Sequence, residues 1–199
     1  PFDNLGNCAY AADLGPEATG FIDISDAAAR HAGKFGPVGW VFVPDAAATG
    51  VFPVGDLFDQ VESDEIAAYA ATAFTLDRPA TLDLRLGTAD AFRVWVDGRE
   101  VLARDVRREQ AFLDQDVLAL TLSAGHHTLV LKLGRRTPRF ELILRLTRPG
   151  GGGPVSGLRV ATSLAEFAPG ATPRGAVRAV GRAAPGEPLA GARTMAAQA

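Results

Sequence analysis

The chain has 199 residues, of which 47% are hydrophobic, so it can bury a sizeable core. It contains no run of about eighteen apolar residues, which argues against a membrane-spanning helix. The single cysteine, Cys8, excludes an intramolecular disulfide, and the three histidines form no zinc-binding pattern. These features predict a globular chain without a metal or a cofactor.

The net charge of −3 hides an asymmetry along the chain. Residues 1–66, here called the front segment, hold eleven Asp and Glu but only two basic residues, Arg30 and Lys34. Residues 67–199 hold twelve acidic and eighteen basic residues, which alternate and form no long basic run. This alternation argues against nucleic-acid binding. We therefore expect the acidic front segment to lie over the basic remainder.

The front segment is rich in Gly, Pro, Asp and Ala, which predicts loops and short edge strands. One helix is expected at Ser25–Gly33, because Ser25 or Asp26 can cap its first turn and Gly33 can end it. The chain also begins at Pro1 without an initiator Met, so we expect it to be a fragment of a longer protein.

From residue 66 onward, apolar and polar residues alternate with the two-residue period of strands. The predicted strands are Ala67–Leu76, Thr81–Leu86, Ala91–Val96, Arg99–Ala103, Val117–Leu122, Thr128–Leu133 and Phe140–Leu146. Their spacing, with turn signals between them, is typical of an all-β antiparallel sandwich or jelly roll.

The hairpin between the third and fourth of these strands is the clearest local prediction. Phe92, Val94 and Val96 alternate with Ala91, Arg93 and Trp95 and should face the core. Asp97 and Gly98 supply the two consecutive positive-φ residues of a type I′ turn, so the chain should return antiparallel.

The predicted sandwich domain covers residues 1–148, and a glycine run follows it. Gly150–Gly153, closed by Pro154, predicts a linker over residues 149–155, because such a run is costly to order. The remaining tail, residues 156–199, is expected to be partly helical or disordered and could begin a helical repeat region.

Two helices are expected within this tail. Ser163 and Glu166 have the spacing of a capping box, and Thr172-Pro173 can start a second helix with proline at its first position. The second helix would align Arg174, Arg178 and Arg182 on one face. A solvated helix face is the preferred interpretation of this row over an anion or partner site.

The most suggestive polar cluster is Asp114-Gln115-Asp116, on the loop after the hairpin, with Arg107 on the same loop. Its carboxylates could bind sugar hydroxyls or a hydrated cation, although calcium usually takes about six to eight oxygen ligands. A structural role, in which salt bridges tie the loop to Arg104, Arg107 or Arg108, is the preferred interpretation.

Several aromatic residues could form a platform on which a sugar stacks. The candidates are Trp40, Trp95, Tyr10, Tyr69 and Phe112. Packing in the core or at a sheet edge is the default interpretation for each of them taken singly. Trp95 is expected opposite Val94 and Val96, beneath a loop or the front segment. Trp40 is expected to be exposed and is the preferred sugar-binding residue.

The nucleophile and histidine candidates are weaker. Cys8 has no local signature of a catalytic thiol, so a buried or incidental thiol is the preferred interpretation. His126 and His127 follow Gly125 at a predicted turn, which indicates a solvated pair of side chains and not a pair of metal ligands.

Two stretches resemble the galactose-binding-like jelly roll found in the sugar-binding domain of family 2 glycoside hydrolases. They are residues 91–106 and 114–134. The matching positions are Val94, Trp95, Val96, Asp97, Gly98, Glu100, Val101, Leu122, Gly125 and Lys132. Asp97 stands where that family usually has Asn, and His127 stands where another Asn is expected.

The front segment resembles modules of large bacterial proteins that also carry tetratricopeptide repeats and a transglutaminase-like domain. The likeness rests on Pro1–Asn7, Pro16-Glu17, Gly33-Lys34 and the residues around Trp40. It implies a larger, exported or periplasmic bacterial protein in which the jelly roll contacts other domains. Function does not follow from such a fold likeness.

Together the residues and the resemblance predict a non-catalytic accessory module that acts in interaction and binds carbohydrate at the loops of one end. The candidate ligand-binding residues are Trp40, Arg107, Asp114, Gln115 and Asp116. The alternative is a structural part of an enzyme, a hydrolase or a transglutaminase-like protein, whose catalytic domain lies outside this chain.

Overall fold

The computed structural model describes residues 1–21, 23–43, 50–58, 65–161, 164–167, 178–182 and 196–198. This part of the chain is mainly β-strand, with one short α-helix, α1, at Gly15–Ala18. Short 3₁₀-helices are present at Leu5–Tyr10, Val54–Leu57, Pro149–Gly151 and Leu164–Phe167. Of the helices in these ranges, none is long and apolar enough to cross a membrane.

Fifteen strands are present in the described residues. They are β1 (Phe2–Asp3), β2 (His31–Gly33), β3 (Gly36–Val38), β4 (Trp40–Phe42), β5 (Phe52–Pro53), β6 (Ile66–Leu76), β7 (Ala80–Thr88), β8 (Phe92–Val96), β9 (Arg99–Arg104), β10 (Asp116–Leu122), β11 (Gly125–Arg135), β12 (Glu141–Thr147), β13 (Leu158–Val160), β14 (Arg178–Arg182) and β15 (Ala196–Gln198).

The strands form two large antiparallel sheets and one small hairpin. The first sheet has the order β4-β15-β6-β11-β8-β9, and β1 and β13 also pair with β6. The second sheet has the order β14-β10-β7-β12-β5, whereas β2 and β3 pair only with each other. The prediction of an all-β, antiparallel fold is confirmed.

Strand β6 organises the first sheet. On one edge it pairs with β11 along its full length, from Leu76 opposite Gly125 to Ile66 opposite Arg135. Its other edge is taken in succession by β1, β15 and β13, which come from both ends of the chain. Strands that are far apart in sequence therefore all pair with β6.

Both sheets contribute side chains to one hydrophobic core. The leucine faces of β7, β10 and β11 and the hairpin face of Phe92, Val94 and Val96 are buried together there. The predicted hairpin is confirmed as well, since Asp97 has φ 51° and Gly98 has φ 73° at the turn between β8 and β9. Alternation with a period of two was therefore sufficient to place the inward faces.

The front segment covers the outer face of the first sheet. A second hydrophobic cluster joins Phe2, Ile24 and Trp40 of the front segment to Tyr69 and Val130 of the sheet. Small alanines of β6 leave room for these rings on that face. The expected packing of front segment on sheet is therefore observed in the described residues.

The helix predicted at Ser25–Gly33 is wrong. Asp26 caps a turn, accepting a hydrogen bond from the Ala28 N–H at 2.8 Å, and the chain then enters β2. Gly33 serves the β2–β3 hairpin and does not end a helix. A Cβ at this glycine would lie 2.5 Å from a Val38 methyl group and 2.8 Å from the Pro1 carbonyl oxygen. Close approach of two segments explains the glycine.

The glycine run lies against the second sheet. The Gly150 N–H donates to the Asp83 carboxylate at 2.9 Å, and Gly150 and Gly151 have φ 71° and 75°, which glycine adopts without strain. A Cβ at Gly151 would lie 3.2 Å from the Arg85 guanidinium. The run is thus held by a packing contact, and the predicted domain boundary at residue 148 stays a prediction.

Beyond the glycine run, the chain returns to the sheets. Strand β13 pairs with β6 and β14 pairs with β10, neither of which was predicted. Residues 178–182 form a strand, so the prediction of a helix that aligns Arg178 and Arg182 is wrong, because pairing with the edge of β10 determines this segment. Ser163, Thr172, Pro173 and Arg174 lie outside the described residues.

Candidate functional site

Three connections between the two sheets meet at one end of the molecule, here called the loop end. They are residues 89–91 between β7 and β8, residues 105–115 between β9 and β10, and residues 136–140 between β11 and β12. Because neighbouring strands are antiparallel, all three crossings fall at the same end. Loops held on such a scaffold commonly carry binding function.

Asp90 and Arg136 tie the three connections together. The buried Asp90 carboxylate accepts hydrogen bonds from the Arg136 N–H at 2.8 Å, and from the Thr137 N–H and hydroxyl at 2.9 and 2.8 Å. The Arg136 guanidinium donates to the Val106 carbonyl at 2.7 Å and to the Asp105 carboxylate at 3.2 Å. The longest loop is therefore fixed to its neighbour.

Asp114 anchors the other end of this loop in a buried ionic network. Its carboxylate, 3% exposed, accepts hydrogen bonds from Arg85 at 2.8 Å and from Arg145. Arg85 also donates to the Asp83 carboxylate at 2.9 Å. The two arginines and two aspartates compensate each other. Asp83, Arg85 and Arg145 lie on the outer face of the second sheet, and Asp114 reaches them from the loop.

Burial and hydrogen bonding act in opposite directions on these groups. Burial raises the pKa of the Asp114 carboxyl, but hydrogen bonds from Arg145 and Arg85 outweigh burial and hold that pKa below its usual range. Burial lowers the pKa of Arg85, and its bonds to Asp114 and Asp83 raise it above its usual value. Both groups therefore remain charged in the folded protein.

The neighbouring members of the predicted polar cluster, Gln115 and Asp116, also have partners within the protein. Asp116, 2% exposed, forms ion pairs with Arg108 at 2.8 Å and Arg104 at 3.4 Å. The Gln115 side chain accepts from the Thr88 N–H at 3.0 Å and donates to the Gln110 carbonyl at 3.2 Å. These contacts agree with the structural role that was the preferred interpretation of the sequence.

Arg107 differs from its neighbours on the loop. Its side chain is exposed and donates to the Arg136 carbonyl at 3.4 Å, so it is not one of the arginines that pair with Asp116. The prediction that tied the loop to Arg104, Arg107 or Arg108 is therefore right for two of these three arginines.

Two apolar side chains, Phe112 and Leu113, stand on the outside of this anchored loop. They are 55% and 43% exposed, although the residue that follows them, Asp114, is buried. The backbone beneath them approaches β7 so closely that a Cβ at Gly87 would lie 1.9 Å from the Phe112 carbonyl oxygen. The loop is thus pressed onto the sheet and displays an apolar pair.

From the sequence, Phe112 was only one of several aromatic candidates, and Leu113 was not singled out. An apolar dipeptide between charged residues on a long loop was the available signal, since exposed apolar patches commonly mark interaction sites. The partners of Asp114 lie on β7 and β12, so no local pattern could have indicated that the loop is fixed.

Trp40 is not the exposed aromatic that was predicted. Its side chain is only 4% exposed, and its ring packs edge-on against Tyr69 with centroids 6.5 Å apart. Tyr69 and Trp95 are buried too, and Phe21 of the front segment covers the Trp95 ring at 5.2 Å. The front segment uses these rings to cover the sheet, so they offer no surface to a sugar.

A second buried ionic cluster lies beneath the front segment. The Glu17 carboxylate is 2.7 Å from the Lys132 ammonium, accepts a hydrogen bond from the Tyr69 hydroxyl at 2.7 Å, and lies 3.7 Å from the Arg93 guanidinium. Burial lowers the pKa of Lys132 despite Glu17, and burial together with the Glu17 charge raises the pKa of Tyr69 above its usual value. The cavity beside Lys132 has no room for a water molecule.

His127 is buried, so the prediction that it is solvated is wrong. The predicted solvated side chain is 1% exposed, and its ring nitrogens face the Asp97 carboxylate at 2.7 Å and the Ser123 carbonyl at 3.0 Å. Burial lowers the pKa of His127, but the bonds to Asp97 and to the Ser123 carbonyl prevail and raise it. His126 is half-buried, with its Nε2 2.7 Å from the Glu166 carbonyl oxygen.

The remaining candidate residues form no further site in the described part of the chain. Cys8 is exposed, and its nearest polar partner is Asp3, with Sγ 3.7 Å from the carbonyl oxygen. The described residues contain no cluster of three or more His, Cys, Asp or Glu side chains that could hold a metal ion.

The loop end is therefore the best-formed candidate interaction surface, with a rigid base and an exposed apolar pair. Comparison with known proteins adds no relative: no protein-family model, no curated protein and no solved structure gives a significant match to this chain.

Proposed function

We propose that this chain is a non-catalytic accessory module of the galactose-binding-like jelly-roll type, and that its loop end contacts another domain of a larger bacterial protein. The single observation that carries the proposal is the exposed Phe112–Leu113 pair on a loop fixed from beneath. Support for the fold type comes from the resemblance of residues 91–106 and 114–134 and from the two antiparallel sheets around one core.

The anchoring of the loop supports a docking role. Asp114, Gln115 and Asp116 hold one end of the loop, and Arg136 holds the other. A loop already ordered in the free protein loses little conformational entropy on binding. Since the cost of ordering is met within this chain, a small contact surface can still give useful affinity.

The small size of the apolar pair favours a tethered partner over a free one. A stable complex between separate proteins usually buries at least about 1,000 Å². Contacts between domains of one chain need less, because the linker raises the effective concentration of the partner. We therefore take a neighbouring domain of the same polypeptide as the occupant.

Carbohydrate binding is the second candidate, and the exposed Phe112 ring is the observation that favours it. An aromatic face can stack on the apolar face of a sugar ring. The carboxylates of Asp114 and Asp116, which could have bound sugar hydroxyls, are instead paired with arginines inside the fold. Because these two carboxylates are not available to a sugar, carbohydrate binding is the less favoured of the two candidate functions.

Hydrogen exchange tests the domain-contact proposal. The exchange rates of residues 105–115 would be compared in this chain alone and in the polypeptide encoded by the complete reading frame. We expect slower exchange in the longer protein, and loss of that protection when Phe112→Ser and Leu113→Ser are combined. Leu5→Ser is the matched control, because Leu5 is also apolar and 71% exposed but belongs to the front segment.

Equal exchange in both proteins, or a reading frame that encodes no further domain, would overturn the proposal. A glycan array with wild type and Phe112→Ala tests the carbohydrate candidate separately. If the protecting domain is catalytic and the double variant lowers its kcat, the chain is a structural part of an enzyme. An unchanged kcat supports the accessory module.

A further inference from the structure

Three polar side chains lie in one row across three strands of the first sheet, far from the loop end. Thr75 of β6 is opposite His126 of β11 on one side and opposite Arg159 of β13 on the other. Directly opposed residues in antiparallel strands project from the same face of a sheet. Phe74 and Leu76, on either side of Thr75, belong to the core, so the row faces outward.

The row borders a cleft of about 340 Å³. Ala73 and Ala161 also line the cleft, and the Ala161 N–H donates to the Ala73 carbonyl at 2.7 Å. Their small side chains leave open the space that a larger residue would fill. Small-molecule sites commonly enclose about 300 to 1,000 Å³, so the cleft lies at the lower end of that range.

His126 also lines the cleft, and one of its ring nitrogens is held by a hydrogen bond. Its Nε2 lies 2.7 Å from the Glu166 carbonyl oxygen, which can only accept a hydrogen bond, so Nε2 carries the proton. The other ring nitrogen, Nδ1, has no hydrogen-bond partner among the described residues. The ring is therefore oriented by one bond, and its unprotonated Nδ1 can accept a hydrogen bond from a hydroxyl group of a ligand but not bind the oxyanion itself.

Arg159 supplies the positive charge. Its guanidinium donates through one terminal nitrogen to the Asp77 carboxylate at 3.0 Å, while the side chain is 75% exposed. A guanidinium has five N–H donors, so one ion pair leaves donors that can bind a second oxyanion. Asp77 competes for this charge, since it is itself an exposed carboxylate beside the site.

We propose that this cleft binds a small organic anion of monosaccharide size, whose oxyanion group lies against Arg159 and the Thr75 hydroxyl and whose body fills the space between Ala73 and Ala161. The chemistry required of the ligand is a carboxylate or phosphate on a compact polar body. The site shares no residue with the loop end, so the two proposals stand or fall separately.

Three probes with one common sugar ring separate the contributions. The ¹⁵N-labelled chain would be titrated with glucuronate, with glucose 6-phosphate and with glucose, while the amide signals of Thr75, His126 and Arg159 are followed. We expect saturable shifts at these residues with one or both anions and none with glucose. The anion that binds more tightly distinguishes a carboxylate ligand from a phosphate ligand.

Two substitutions shift the affinity in opposite directions if the proposal is right. Arg159→Gln removes a charged hydrogen bond, so binding should weaken by about tenfold or more. Asp77→Asn removes the competing carboxylate, so binding should strengthen by about two- to fivefold at low salt. Arg139→Gln is the matched control, because Arg139 is also exposed and paired with a surface carboxylate, Glu141, but lies elsewhere.

Several results would overturn the proposal. They are binding of glucose as tight as that of the anions, no shifts at ligand concentrations on the order of tens of millimolar, or equal affinity in wild type and Arg159→Gln. The amide spectrum of each variant reports whether the fold is intact, and Thr75→Val, which keeps the side-chain shape, provides a second measure of the same site.

Discussion

The two sheets are covered on their outer faces in different ways. The loop of residues 105–115 is fastened to the second sheet mainly by charges, with Asp114 between Arg85 and Arg145. The front segment is fastened to the first sheet mainly by apolar packing of Phe2, Phe21 and Trp40, with one buried acid, Glu17.

The difference matters because the two kinds of buried cation respond differently when the acid is lost. An arginine cannot lose its proton in a protein, so Arg85 and Arg145 would remain charged without Asp114. A buried lysine can become neutral, so Lys132 has a way to avoid an uncompensated charge. Loss of the acid should therefore destabilise the arginine network more than the lysine cluster.

The largest effect is expected for Asp114→Ala. This change leaves two buried arginines without their shared partner, which typically costs about 3 to 5 kcal/mol of unfolding free energy. Urea denaturation measures the loss. Asp105→Ala is the control, since it removes an exposed carboxylate from the same loop and should cost far less. A loss below about 1 kcal/mol would contradict the charged fastening.

Glu17→Gln should cost less, about 1 to 3 kcal/mol near pH 7. In this variant the pKa of Lys132 in the folded protein lies further below its pKa in the unfolded chain. Between these two pKa values the unfolded chain binds more protons than the folded protein, so stability rises with pH. The loss should accordingly shrink as the pH is raised from 7 towards about 9.5. Urea denaturation at pH 7 and at about pH 9.5 measures this change in the loss. Glu100→Gln is the control, because Glu100 belongs to a more exposed ion pair. An equal loss at both pH values would show that Lys132 does not neutralise.

A third buried pair, His127 with Asp97, sharpens the comparison because pH alone can remove its charge. The raised pKa of His127 means that its stabilisation is complete below the unfolded value of about 6.5 and is lost as the pH rises through the folded value. The expected loss is on the order of 1 kcal/mol. The difference in unfolding free energy between wild type and His127→Asn, measured at several pH values, isolates this contribution, and a pH-independent difference would refute it.

The smallest effect is expected on the outer side of the same loop. Phe112→Ser combined with Leu113→Ser removes only exposed apolar groups, so the unfolding free energy should change by no more than about 0.5 kcal/mol. Thermal and urea unfolding test this directly. A large loss would mean that the pair packs within the fold and is not a free surface, which would also remove the basis for the docking proposal.

The core could be predicted from sequence because its signal is local. Strand β8 and its turn to β9 contain their own period and their own turn residues, so Phe92, Asp97 and Gly98 were assigned correctly. In the tail, Arg178–Arg182 was predicted as helix from the start signal at Thr172-Pro173, whereas its pairing with β10 depends on residues about sixty positions earlier in the chain.

The candidate sites depended on contacts that sequence spacing does not reveal. Asp83, Arg85 and Arg145 alternate with core leucines and therefore resemble a solvated strand face, yet the loop and the glycine run bury them. The prediction that Trp40 is exposed was wrong for the same reason, because only the folded front segment shows that its ring is covered. The row of His126, Thr75 and Arg159 comes from three separate strands and had no local pattern.

Strand β6 has a consequence for the order of folding. We expect β1, β15 and β13 to add to this strand only after β6 and β11 have paired, since these short strands have two or three residues each and are not stable alone. In this order the middle of the chain would form the nucleus, and both ends would add later at the cost of long loop closures. The same edge strands are the parts expected to detach first in local unfolding, which exposes β6 before the core opens.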